Sequence, residues 1–119
     1  PEYVRAMAAH GFESFGLTGW DGLPDDLDLV AIAPAYRDAA GDAVISCLEP
    51  FGNPLRNPQH RDSIERAIRA ARAFGTDLVT GFTGALEDRS IADNVPKFKE
   101  VWTELAKVAD GEGVRLAFE

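Results

Sequence analysis

Four glycines divide this chain into units of similar length. Each follows a stretch with helical periodicity and precedes an apolar run: Gly11, Gly41, Gly75 and Gly113. A glycine in that place is typical of a helix end. The apolar runs predict strands at residues 14–18, 43–49, 77–82 and 114–119, spaced by roughly 30 to 37 residues, which is the length of one βα unit in a barrel. Strands and helices that alternate in this way predict an α/β fold with a parallel sheet.

Two of the predicted helices have clear signatures. The third helix begins with Asn57 as its cap and Pro58 in its first turn, which are favoured residues at those places. An apolar stripe follows at the three-to-four-residue spacing of a helix face: Ile64, Ala67, Ile68, Ala71 and Phe74. The fourth helix has an inward face of the same kind: Phe98, Val101, Trp102, Leu105 and Ala109. Its start is left open, because three residues offer entry signals: Asp93, Asn94 and Pro96.

The first two helices are less distinct. Residues 1–10 have helical periodicity and no strand before them. Residues 25–40 are predicted as the second helix, with a kink at Pro34, although residues 27–32 could also form a strand. The helix is favoured because a strand there would break the regular alternation.

Net charge and cysteine content exclude several classes of partner. The charge of −8, from 20 acidic and 12 basic side chains, repels phosphate groups, so neither nucleic acid nor an anionic membrane surface is an expected partner. No apolar run is long enough to span a membrane, and no signal peptide is visible. The single cysteine, Cys47, excludes an internal disulfide and fits a reducing, cytoplasmic setting. Its apolar neighbours predict a buried, inert strand thiol.

Several common catalytic motifs are missing from the sequence. It contains no phosphate-binding P-loop, no dinucleotide fingerprint and no nucleophile elbow. The two histidines do not have metal-ligand spacing. His10 is expected at a helix C-terminus, and His60 is expected on the surface of the third helix, away from the strand ends.

The last predicted strand ends on a carboxylate, Glu119. In β/α barrels, catalytic and metal-binding groups lie at the C-terminal ends of the strands. A self-contained α/β domain seldom starts on a bare helix and stops on a bare strand. We therefore expect residues 1–119 to form part of a larger barrel, with Glu119 as its foremost candidate site residue.

Three further residues are candidates for binding substrate at the same edge of the sheet. Trp20 follows the first predicted strand and could stack on a sugar face, or could pack on the rim. Asn53 follows the second strand and could bind a hydroxyl group, although Asn before Pro is also a common turn former. Glu49 ends the second strand as Glu119 ends the fourth, so it could face either the pocket or the rim.

Segments along nearly the whole chain resemble the xylose-isomerase-like TIM-barrel superfamily. They occur in the order GFESFGL at 11–17, NPL at 53–55, AARAFGTDLV at 70–79, FTG at 82–84, and LA at 105–106 followed by GVRLAFE at 113–119. Within the superfamily, these segments are most similar to the sugar phosphate isomerase/epimerase group. The resemblance implies about half of a (β/α)8 barrel, with four parallel strands and helices on the outer face. The DNA-repair endonucleases of the superfamily are a poorer match, because their histidine ligands are missing here.

The resemblance also implies a chemistry. In the superfamily, the glutamate that matches Glu119 is a ligand of a divalent metal and often an acid or base; Mn²⁺ or Mg²⁺ is expected, and other divalent ions are left open. The remaining ligands, an Asp, a His and a second Glu, lie on later strands that this chain does not include. The implied reaction is isomerisation or epimerisation of a sugar, sugar acid or cyclitol, by proton transfer through an enediolate. Homo-oligomer formation is left open.

A second interpretation comes from a different class of protein. The chain could be a small, complete flavodoxin-like α/β domain that binds a ligand without catalysis. Such a doubly wound domain requires helices on both faces of the sheet, whereas a barrel has helices on one face only. The position of the helices therefore distinguishes the two interpretations.

Overall fold

A computed structural model describes residues 1–19 and 23–119 of the chain. Helices and strands alternate throughout, in the order α1 (Glu2–Ala9), β1 (Ser14–Gly19), α2 (Leu29–Ala40), β2 (Val44–Pro50), α3 (Pro58–Ala70), β3 (Leu78–Gly81), α4 (Ile91–Glu112) and β4 (Arg115–Phe118). All of the predicted strands are present, within one or two residues of their predicted ends. The four glycines singled out in the sequence all have positive φ, between 61° and 88°: Gly11, Gly41, Gly75 and Gly113. Gly75 does not end a helix as predicted, because α3 already ends at Ala70 and turns follow it.

The four strands form one parallel sheet in the order β1-β2-β3-β4. The side chains of Leu17, Leu48, Val79 and Leu116 point to one face and join the hydrophobic core under the helices. On the opposite face, called the inner face below, residues such as Thr18 remain exposed in the described part of the chain. Consecutive helices pack against each other on the outer face. This arrangement confirms the partial TIM barrel and does not match the doubly wound alternative.

The core is built by the predicted apolar stripes. Every residue of the α3 stripe is buried, and Ile68 is fully buried. On α4, the predicted inward residues Val101, Trp102, Leu105 and Ala109 are buried as well. Helix α3 contacts both β2 and β3, and α4 contacts β4. These contacts hold the strands in the register on which the geometry of the inner face depends.

Two predicted helix starts are corrected by the structure. Helix α2 begins at Leu29 rather than at residue 25, because the Asp28 side chain accepts a hydrogen bond from Ala31 N at 3.0 Å and so caps the helix there. Helix α4, whose start was left open, begins at Ile91, two to five residues before the three entry signals. Its cap is Ser90, whose Oγ accepts the N–H of Asp93 at 3.2 Å. No strand forms at residues 27–32.

A β-bulge in β2 changes which side chains face inward. Phe15 pairs with Ile45, but the next residue of β1, Gly16, pairs with Cys47, so Ser46 is an extra residue in β2. The Ser46 hydroxyl donates a hydrogen bond to the Phe15 carbonyl at 2.9 Å. Because neighbouring side chains of a strand alternate between faces, one inserted residue reverses the facing of all those that follow. The bulge therefore turns Cys47 and Glu49 to the inner face.

Candidate active site on the inner face of the sheet

Glu119 lies directly after β4, at the carboxyl end of the sheet. Its N–H donates a hydrogen bond to the Gly81 carbonyl at 3.1 Å, which continues the β3–β4 ladder. The ring of the preceding residue, Phe118, contacts Trp102 of α4 edge-on, with ring centroids 4.6 Å apart. Since Phe118 faces the helices, alternation turns Glu119 to the inner face. The side chain is exposed there, and its role in binding metal stays a prediction.

Glu49 lies on the inner face of β2 and is held there by its neighbours. Its Oε2 accepts a hydrogen bond from Thr18 Oγ1 at 2.7 Å, and its Oε1 accepts one from Cys47 Sγ at 3.2 Å. The carboxylate lies directly over Gly16, where an added Cβ would come within 2.7 Å of Oε1. The sequence interpretation named Glu49 alone and missed the three residues that orient it, because the bulge in β2 decides that Cys47 and Glu49 share a face with Thr18 and Gly16 of β1.

Cys47 is buried, as the sequence predicted, but it is also part of this hydrogen-bonded group. The pKa of the Cys47 thiol is raised above 9.0, first by burial and then by the hydrogen bond to Glu49. These effects outweigh the opposite influence of the Ser46 and Thr80 hydroxyls on the same pKa. Cys47 is therefore a protonated hydrogen-bond donor at neutral pH and a poor nucleophile.

Asn53 connects the two loops that follow β2 and β3. Its Nδ2 donates to the Ala85 carbonyl at 2.6 Å, and its Oδ1 accepts from Ala85 N at 3.1 Å. Its own N–H donates to His60 Nδ1 at 2.8 Å. His60 is thus half-buried against the loop after β2, and its predicted surface position was wrong. The reason is a contact from α3 back to a strand end, which residue spacing does not reveal.

An aromatic pair that sequence reasoning missed lies beyond the same strand ends. Phe51 and Phe82 stack with ring centroids 5.0 Å apart and an interplanar angle of 22°. Phe82 remains 44% exposed, so part of its ring is available at the carboxyl edge of the sheet. The available signal was an aromatic residue near the end of each of two predicted strands: Phe82 is the last residue of the predicted strand 77–82, and Phe51 lies two residues after the predicted strand 43–49. Trp20, the predicted stacking residue, lies outside the described residues.

The residues present fit one part of a divalent-metal centre. Carboxylate oxygens are the ligands that Mg²⁺ and Mn²⁺ prefer. The Glu119 carboxylate makes no hydrogen bond or ion pair with the described residues, so its oxygens are free to bind a metal ion. Within residues 1–19 and 23–119, no group of three or more His, Cys, Asp or Glu side chains could hold a metal ion.

In the described helices, none is long and apolar enough to cross a membrane.

Comparisons with known proteins agree with this fold. The IolI protein, solved with a bound zinc atom, superposes with a TM-score of 0.67 at 16% identity, over 98% of this chain and 45% of that chain. A sugar phosphate isomerase/epimerase from Parabacteroides distasonis gives a TM-score of 0.64 at 14% identity, over 99% of this chain and 44% of that chain. A xylose isomerase-like TIM barrel/4-hydroxyphenylpyruvate dioxygenase fusion protein gives 0.63 at 22% identity, over 99% and 19%.

The chain thus spans less than half the length of these solved proteins. No curated protein matches it significantly. At such low identities the structural likeness concerns the fold alone. The family model for the xylose isomerase-like TIM barrel, however, matches residues 4–119, which is nearly the whole chain. The chain therefore belongs to the xylose isomerase-like TIM barrel family and forms about half of such a barrel.

Proposed function

We propose that this chain is part of a divalent-metal-dependent isomerase or epimerase that acts on a sugar, a sugar acid or a cyclitol. The observation that carries the proposal is the place of Glu119, a carboxylate at a strand end on the inner face of a xylose isomerase-like barrel. Two of the similar structures support it by their descriptions, one with zinc and one as a sugar phosphate isomerase/epimerase. The cytoplasmic location inferred from the single cysteine, and homo-oligomer formation, stay predictions.

Glu119 would be one ligand of the metal, with the others supplied by strands that follow this chain. When bound, Mg²⁺ or Mn²⁺ supplies positive charge that stabilises an enediolate formed from the substrate. A carboxylate at this place can also accept the proton that leaves the carbon beside the carbonyl group and return it to the neighbouring carbon. Both roles use the ionised carboxylate of Glu119.

Three other residues are proposed to contact the substrate. Glu49 faces inward and accepts hydrogen bonds, which suits a sugar hydroxyl group. Asn53 already uses one amide hydrogen and one oxygen lone pair on Ala85, which leaves one of each for a ligand. Trp20 remains a candidate for stacking on a sugar face, from its place in the sequence.

The proposal is tested by the substitution Glu119→Gln in a polypeptide that also contains the following barrel strands. The amide keeps the shape of the side chain but removes its charge, so metal affinity and turnover should fall together while the protein stays folded. We expect at least the 10- to 100-fold loss of metal affinity that is roughly typical of groups supporting a ligand. Mn²⁺ titration by calorimetry and sugar isomerase turnover are the measurements.

Glu104→Gln is the matched control. Glu104 is exposed on α4, where it is paired only with Lys107. This variant loses the same charge away from the inner face, so it should behave as wild type. Unchanged metal affinity and undiminished turnover in Glu119→Gln would remove Glu119 from the proposed site.

A further inference from the structure

The carboxylate of Glu49 is oriented but not saturated. An ionised carboxylate offers roughly four lone-pair positions, and the described residues fill two of them, through Thr18 and Cys47. Both donors lie on the same side, within the sheet. The side chain is only half-buried, so the remaining lone pairs face the space in front of the inner face. A donor from a bound molecule could approach them there.

A second polar group of the inner face, the Thr80 hydroxyl, lies beside Glu49. Leu48 pairs with Val79, so the next residues along the two strands, Glu49 and Thr80, are neighbours on the inner face. The Thr80 hydroxyl oxygen is shielded from solvent and acts on the Cys47 thiol, whose pKa it lowers. Thr80 therefore belongs to the polar group around Cys47 that supports Glu49, and the donor of a bound molecule is left to Glu49 itself.

The charge around this position selects the kind of ligand. The described loops at the carboxyl ends of the strands contain five acidic residues: Asp25, Asp26, Asp28, Glu87 and Asp88. They contain two basic residues, and one of these, Arg56, is paired with Glu87. On the sheet itself, Arg115 lies at the opposite end of β4 and is paired with Asp77 at 2.8 Å. A phosphate group in front of Glu49 would therefore meet a carboxylate, beside loops whose described residues carry more negative than positive charge.

We propose that Glu49, fixed by Thr18 and Cys47 above Gly16, accepts a hydrogen bond from a substrate hydroxyl group, and that the part of the substrate against these strands is hydroxylated and uncharged. This inference rests on the proposed isomerase function and adds the chemical nature of the group that the site recognises. Gly16 contributes to this site because it has no side chain, and the Glu49 carboxylate occupies the space that a Cβ would take.

The test compares two variants in the full-length polypeptide, Glu49→Gln and Gly16→Ala. The first removes the charge of the acceptor. The second leaves Glu49 intact but pushes its carboxylate away from Thr18 and Cys47, because the new Cβ would lie 2.7 Å from Oε1. Gly81→Ala is the control, since a Cβ on that neighbouring strand makes an ordinary contact, 3.6 Å from the Pro50 carbonyl.

The substrate probes are D-xylose, D-fructose and myo-inositol, with deoxy and phosphorylated forms of whichever is turned over best. We expect kcat/KM to fall by about 10- to 100-fold in both variants, the usual effect of losing a hydrogen bond to a charged group. A deoxy substrate that lacks the hydroxyl group bonded to Glu49 should lower kcat/KM by the same factor in the wild type. In Glu49→Gln, the same deoxy substrate should lower kcat/KM little further. Phosphorylating that hydroxyl should cost the wild type more than removing it.

If Glu49→Gln and the deoxy substrate each lower kcat/KM and the two factors multiply when combined, Glu49 does not bond that hydroxyl group and the proposal is overturned. An unchanged kcat/KM in Glu49→Gln would overturn it as well. A separate readout distinguishes failure of the site from failure of the proposed function. That readout is calorimetric binding of the neutral probes to the wild type and to Glu49→Gln, which does not require turnover. If no probe is isomerised, the function fails; if Glu49→Gln also binds the neutral probes as tightly as the wild type does, the Glu49 site fails too.

Discussion

The contact between Asn53 and Ala85 gives the sharpest test of how the mouth of this half-barrel is organised. Asn53→Ala removes both hydrogen bonds to the Ala85 backbone, at 2.6 and 3.1 Å. Each such bond is worth roughly 0.5 to 1.5 kcal/mol net. Ala85 is exposed, so its freed N–H and carbonyl can turn to water, and the full penalty of a buried orphan does not apply. The expected loss of stability is therefore about 1 to 2 kcal/mol.

In a domain of this size, such a loss lowers Tm by roughly 4 to 8 °C. Asn53→Asp should be at least as harmful, because it keeps the acceptor for Ala85 N but places a charged oxygen against the Ala85 carbonyl. The assay is thermal unfolding together with hydrogen exchange at the Ala85 amide, which should lose protection in Asn53→Ala, where its acceptor is removed. Gln59→Ala is the control, since it removes an amide whose contact, with Asp25 at 3.3 Å, is exposed.

The same experiment separates two roles for the Asn53 amide. If Asn53→Ala leaves Tm and Ala85 exchange unchanged but raises KM for a sugar, the amide acts on the substrate, and the argument from its contacts is refuted. If exchange at Ala85 accelerates and Tm falls, Asn53 positions the loop after β3. Any change of KM would then come through the loop.

Two further predictions concern the edges of the sheet. Arg115 lowers the pKa of Asp77 below 3.8 through its hydrogen bond. The pair therefore stabilises the fold above about pH 4, and this stabilisation is lost as the pH falls through the pKa that Asp77 has in the folded protein. Arg115→Gln should therefore flatten the dependence of Tm on pH between about pH 2 and pH 5, and an unchanged acid branch would show that the pair is not formed. The chain expressed alone should self-associate, because β1 and β4 each expose an unpaired edge, Ser14–Gly19 and Arg115–Phe118. Sedimentation velocity over a concentration series measures this, and a concentration-independent monomer with a sharp two-state transition would contradict it.

Local sequence signals determined the order of the elements and several of their ends. Gly113 adopts the left-handed conformation that ends α4, and Asn57 caps α3 with its side chain, both as predicted. These features depend on residues close together in the chain, so a short segment contains all the information needed. The inward face of α4 follows for the same reason, because helical periodicity alone sets which side chains share a face. The start of α4 was missed because Ser90 competed with three other plausible caps nearby.

The facing of the candidate site was decided by tertiary structure. Simple alternation from buried Ile45 would have turned Glu49 toward the helices, and the bulge at Ser46 turned it inward. That bulge is a property of the pairing between two strands whose partners lie about 30 residues apart, and no local pattern in β2 marks it. The contacts of Asn53 with Ala85 and with His60 likewise join segments brought together only by the packed barrel. The sequence alone therefore identified which carboxylates end the strands, whereas strand pairing determined which way Glu49 points and what holds it there.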